Sequence, residues 1–292
     1  MNQTSSPLPR ISPRVSIRSG IIGSFMLIVL SLLLYHFQPF GDFWTDKVLD
    51  GLILFAAVAA AGLATKFRSQ FHSDEPPHRV WSMFALGLWF WVAGEVSGII
   101  YDLIYWYAEY PDLMITDLCW LVGYAFIGLA LYYQYRLIFG RNNKRGTRYY
   151  LALFLLALTA AALLANAAIQ TEIGFGYGWF MLFITFLYPV FDVMNGLGAL
   201  YLAYLFGRGH WIRPWWGLIL FALSDSINVF YWLGGYNYLP EVLQPPLDLL
   251  DLFFYSASYL VMAIAFLSLF YMSQYGASGL SNRPGPSGNN HP

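Results

Sequence analysis

Apolar residues run through this chain in long stretches, separated by short clusters of charge, proline and glycine. A hydrocarbon layer about 30 Å thick takes roughly 20 residues of helix to cross. Eight stretches of that length occur, at 20–39, 48–65, 80–106, 117–139, 149–169, 178–206, 214–234 and 250–272. The pattern predicts an all-α, polytopic membrane protein with eight transmembrane helices. Arg10, Arg14 and Arg18 give the first stretch the flank of a signal peptide. It is too long for one, however, and lacks a small-residue cleavage site near Gln38, so it is taken as a retained helix.

Basic residues fix the expected orientation, because lysine and arginine in short loops resist translocation. With the N-terminus in the cytoplasm, fourteen of the fifteen fall on the cytoplasmic side, and only Lys47 lies outside. The alternation holds loop by loop, which places both termini in the cytoplasm of a cell whose inner membrane carries the protein. The expected organisation is a cytoplasmic segment 1–19, a four-helix unit 20–139, a basic linker 140–148, a second four-helix unit 149–272 and a disordered cytoplasmic tail 273–292 rich in Gly, Ser, Asn and Pro.

Composition sharpens this picture. Hydrophobic residues make up 58% of the 292, aromatics 20% and charged residues only 11%, far below the roughly 25% charged of a soluble domain. A formal net charge of −1 leaves no positive field for nucleic acid. The single cysteine, Cys119, excludes an internal disulfide, a CxxC redox pair and a Cys-rich metal site.

The third and seventh stretches align without a gap. Gly87, Glu95 and Tyr101 match Gly217, Asp225 and Tyr231 at an offset of 130, and the following Asp117 and Tyr124 match Asp251 and Tyr259 at offsets of 134 and 135. The simplest account is duplication of a four-helix unit. Both halves would then enter the membrane the same way, a parallel repeat of the kind that places ligand sites at its interface.

Ionisable residues inside apolar helices cost about 2.5–3.5 kcal/mol on insertion, so they turn inward and pair or function. Glu95, Asp192 and Asp225 are such residues, with Asp50, Asp117, Asp248 and Asp251 near the external helix ends. No lysine or arginine is expected among them, which favours carboxyls that donate hydrogen bonds in their neutral form. Asn195 lies three residues after Asp192 and Asn228 three after Asp225, each pair sharing a helical face. Three roles fit these acids: a polar network that locks helix packing, a ligand pocket, or a path for protons or cations. Other chemistry is excluded. The histidines lie at helix ends, in loops and in the tail, so no haem or binuclear metal site is expected, and no lysine within a span offers a Schiff base. Tryptophans such as Trp44, Trp106, Trp179, Trp211, Trp215 and Trp232 read as interface belts, and the stretch Gly174–Gly178 as a turn. No cofactor is predicted.

The run from Tyr110-Pro111 through Asp117 to Tyr124 resembles the Tyr-Pro-Ser-x-x-Asp-x-x-Tyr-Leu-x-Gly-Tyr signature of bacterial eight-span modules. Such modules stand at the N-terminus of diguanylate cyclases and histidine kinases. Asp112 here replaces the usual serine and Trp120 the tyrosine, and the second half from Leu218 to Tyr259 is similar to the matching part of the module. The resemblance implies a membrane sensory or ligand-binding module. No output domain is expected after the eighth span, so signalling would need another protein. A narrower resemblance, of Ser224-Asp225 with Gly94-Glu95, is to the lysoplasmalogenase family of lipid hydrolases, and implies Glu95 and Asp225 as an acid pair.

The sequence thus predicts a non-enzymatic sensory, ligand-binding or scaffold module with an acid-lined cavity between its halves. The expected lining is Glu95, Tyr101, Asp117, Tyr124, Asp192, Asn195, Asp225, Asn228, Tyr231, Asp251 and Tyr259. Expected partners are membrane lipids, a small lipid-like ligand and another membrane protein. The alternatives are a lysoplasmalogenase-like hydrolase and a proton- or cation-coupled transporter.

Overall fold

The computed structural model describes residues 13–105, 114–140, 179–207, 209–232 and 239–275, with isolated positions between 148 and 162. The described residues are helical, with no strand among them. In chain order the long helices are α1 (Pro13–Phe37), α2 (Asp42–Arg68), α3 (Pro76–Ile104), α4 (Ile115–Phe139), α5 (Trp179–Phe206), α6 (Arg213–Trp232) and α7 (Gln244–Tyr275). Short 3₁₀ turns precede α6 and α7.

Six segments are long and apolar enough to cross a membrane: α1 to α4, the part of α5 from Phe186, and Glu241–Tyr275, which includes α7. They make this a membrane protein. The predicted span 214–234 forms helix α6, yet it is not among the six, because its 20 residues include Ser224, Asp225, Ser226 and Asn228. The predicted span 149–169 lies almost wholly outside the described residues, as do Tyr110, Pro111, Asp112, Gly174–Gly178, most of the linker 140–148 and the tail beyond Tyr275.

Several helices begin before their apolar stretches. α2 starts at Asp42 rather than 48, α3 at Pro76 rather than 80 and α7 at Gln244 rather than 250. These first turns carry residues suited to a helix start: Asp42 complements the dipole of α2, and proline at the start of α3 forfeits a backbone donor that would have no intrahelical partner. At α4 the Asp117 carboxylate accepts the Met114 N–H at 3.0 Å.

α3 packs along α4 and α6 along α7, while α2 bridges α3 and α7 and α5 bridges α6 and α4. α1 lies outermost, against α7 and α2, and exposes Ile22, Phe25 and Met26. Two close approaches depend on glycine. A Cβ on Gly87 would stand 2.8 Å from the Gly123 carbonyl of α4, and one on Gly217 would stand 2.7 Å from the Ser258 carbonyl of α7.

The two ends of the bundle differ in chemistry. Around the N-termini of α3 and α6, the buried rings of Phe67, Trp81, Phe84, Trp215 and Phe266 interlock. Lys66, Arg68, Arg79, Arg136 and Arg213 are placed at this end by the helix directions. The opposite end, near the N-termini of α2 and α7, carries Asp46, Asp50, Asp248 and Asp251.

Candidate functional site

Midway along α3 and α6, Trp91 and Phe221 stack face to face with ring centroids 4.3 Å apart and planes 14° from parallel. Rings from α4 and α7 close around them. Trp120 stacks on Tyr255 at 6.0 Å, Tyr124 meets Trp91 edge-on at 5.1 Å, and Tyr259 meets Phe221 edge-on at 5.8 Å. A second stack, Trp81 on Trp211 at 6.1 Å, lies toward the basic end.

The interior acids sit one turn beyond the central stack, because Glu95 follows Trp91 by four residues and Asp225 follows Phe221 by four. Glu95 of α3 accepts hydrogen bonds from Tyr255 at 2.6 Å and Tyr259 at 2.9 Å, both on α7. Asp225 of α6 accepts one from the Tyr124 hydroxyl of α4. Each acid is therefore reached by a tyrosine from the other helix pair. A buried carboxyl so bonded recovers part of the hydration it lost.

Asp192, on α5, is 5% exposed and lies beside Asp225 and Tyr124. One turn along the same helix is Asn195, 3% exposed, whose Nδ2 donates to the Tyr124 carbonyl at 3.5 Å. Asp251 accepts hydrogen bonds from Ser224 and, at 3.3 Å, from Asn228. Asp117 accepts the Tyr188 hydroxyl at 3.0 Å. Asp117, Asp192, Asn195 and Asp225 are thus gathered where α4, α5 and α6 meet, and Asp251 with Ser224 and Asn228 joins α7 to α6. Tyr101 stands apart from that region and stacks on Tyr105 at 5.7 Å.

An open cavity of about 480 Å³ lies at the acidic end. Among the described residues, aspartates 46, 50, 102, 248 and 251 line it together with Lys47, and Asn228 and Tyr231 line it from α6. Lys47 donates to Asp50 at 2.6 Å and also to Asp102. The expectation that no basic residue reaches these acids is corrected here: Lys47, taken from the sequence only as a marker of the outer face, bridges α2 and α3. Asp46, Asp248 and Asp251 also face the cavity. Among the described residues no group of three or more His, Cys, Asp or Glu side chains is arranged to hold a metal ion.

Tyr255, Trp91 and Phe221 were not singled out from the sequence. Tyr255 gives Glu95 a second hydroxyl, and Trp91 with Phe221 forms the aromatic centre. The spacing of four between each ring and its acid was the available signal. No known protein family, curated protein or solved structure matches the chain.

Proposed function

We propose that this chain is an inner-membrane binding module, built from two fused four-helix units, that takes up a small positively charged ligand from the outside and serves sensing rather than transport. The observation that carries the ligand class is the cavity lining of five aspartates against one lysine. An organic cation with one or two ammonium groups complements that excess of carboxyl groups, and Tyr231 and Tyr255, whose aromatic rings attract cations, also line the cavity.

The duplication is supported by contacts that recur at the sequence offsets. Trp91 with Phe221 and Trp81 with Trp211 are pairs 130 residues apart, and Trp120 with Tyr255 is a pair 135 apart, so each position stacks on its own counterpart. Tyr124 to Asp225 and Tyr259 to Glu95 are the same bond seen from either half. An axis of approximate two-fold symmetry through the Trp91 and Phe221 stack accounts for all of them. The outward orientation of the cavity rests on the distribution of lysine and arginine.

Transport is less well supported, because the basic half of the interface is filled by interlocked tryptophan and phenylalanine rings. The hydrolase reading calls for Glu95 and Asp225 to act as one pair. Instead Glu95 is engaged by Tyr255 and Tyr259, and Asp225 by Tyr124.

Thermal unfolding of the purified full chain in detergent tests the proposal. 1,4-Diaminobutane at saturating concentration is expected to raise Tm above that in potassium chloride of equal ionic strength, since a ligand at 100 times its Kd stabilises by about 2.7 kcal/mol. Asp46→Asn with Asp248→Asn removes the effect. Equal shifts by diamine and salt, or an undiminished diamine shift in the double variant, overturn the proposal.

A further inference from the structure

The cavity at the acidic end is lined by more than carboxyl groups. Tyr35 of α1, Tyr231 of α6 and Tyr255 of α7 line it together with the aliphatic side chains of Leu49, Ile53 and Leu252. Its volume of about 480 Å³ falls within the roughly 300–1,000 Å³ of pockets that take small organic molecules, far more than a bare ion fills. Tyr255 is held firmly, since its hydroxyl donates to Glu95 at 2.6 Å and its ring stacks on Trp120 at 6.0 Å. What Tyr255 has left to offer a ligand is its ring and not a proton. Several carboxyl oxygens are committed as well. Asp50 and Asp102 accept from Lys47, and Asp251 accepts from Ser224 and Asn228.

We propose that the ligand of this cavity carries a quaternary, methylated ammonium group. The inference rests on the cation-binding reading of the cavity and narrows it. A primary ammonium is a compact, strongly hydrated charge that needs a new acceptor for each N–H it withdraws from water. Oxygens of Asp50, Asp102 and Asp251 already serve Lys47, Ser224 and Asn228. A quaternary ammonium has no N–H to satisfy. Its methyl groups suit Leu49, Ile53 and Leu252, and the carboxyl groups supply the negative field. Tyrosine rings attract its charge, as in the aromatic sites that recognise choline and methyl-lysine. The ligand need not neutralise every aspartate. The cavity is open, and Asp50 and Asp102 keep 33% and 34% of their side-chain surface exposed, so water and salt screen the charge that remains.

Choline and ethanolamine differ only in the methyl groups on nitrogen, so comparing them tests the proposal. Tm of the purified full chain in a non-ionic detergent is followed against the concentration of choline chloride, ethanolamine hydrochloride and 1,4-diaminobutane dihydrochloride at equal ionic strength and neutral pH. Choline is expected to bind about tenfold more tightly than ethanolamine, the scale of a desolvated cation–π contact. Tyr231→Leu and Tyr35→Leu lose the preference, while Tyr231→Phe and Tyr35→Phe, which retain the ring, keep it. Monodispersity and Tm without ligand check that each variant is folded, and the wild-type comparison decides even where a leucine variant does not fold. Choline binding no tighter than ethanolamine overturns the inference, and stabilisation by the diamine then leaves the cation-binding reading in place. No stabilisation by any of the three overturns both. A choline preference undiminished in the folded leucine variants overturns the inference as well.

Discussion

Tyr124 and Tyr259 occupy matched positions, yet the acids they reach differ in how well they are served. Glu95 has two tyrosine donors and Asp225 has one. Tyr124→Phe should therefore destabilise more than Tyr259→Phe, by about 1–3 kcal/mol for a buried acceptor left unsatisfied. Thermal unfolding in detergent reads the difference, and the reverse order would contradict the assignment. Lys47→Met leaves Asp50 and Asp102 without their shared ammonium, so Tm should fall while the stabilisation by 1,4-diaminobutane grows beyond that of wild type. Glu95, Asp225, Tyr124 and Tyr259 were legible in the sequence because their stretches align in register, whereas Tyr188 and Tyr255 were not. Lys47 was not legible as a bridge, since its bond to Asp102 spans 55 residues and depends on the approach of α2 to α3. The meeting of Asp192 with Asp225 was hidden for the same reason: a helix's register shows which residues share a face, not which neighbour that face meets.

At the scale of elements, contact between paired helices rests on glycines, among them Gly87 in α3 and Gly217 in α6. A Cβ at Gly87 would lie 2.6 Å from Ile127 Cγ1, and one at Gly217 would lie 2.3 Å from Met262 Cγ, each with a backbone carbonyl close behind. Gly87→Ala and Gly217→Ala should each cost about 1–3 kcal/mol through overpacking. Gly62→Ala, where nothing lies within 4 Å, should be neutral or stabilising by up to about 1 kcal/mol. Thermal unfolding of the three variants distinguishes them, and equal losses would refute the packing argument. Helix existence was readable from runs of apolar residues, because the spacing and length of those runs reflect a bilayer. Helix ends were less so. Asp42, Pro76 and Gln244 start helices outside the apolar runs, where capping and dipole effects, rather than hydrophobicity, set the boundary. α6 shows the converse: its polar residues lower its hydropathy because they build the site.

For the whole molecule, chemistry is divided along the helix bundle, with interlocked rings toward the basic end and an aspartate-lined cavity at the other. The proposed two-fold relation explains why the rings at the centre stack on their own counterparts, and why acids from both halves come close to one axis. In the proposed orientation, which rests on the distribution of lysine and arginine, the cavity faces outside. The most direct measurement is thiol labelling of Asn228→Cys in a Cys119→Ser background, using a membrane-impermeant maleimide on right-side-out vesicles. The account predicts labelling without permeabilisation, slowed by 1,4-diaminobutane. Labelling that appears only after the membrane is opened, or that the diamine leaves unchanged, would contradict it.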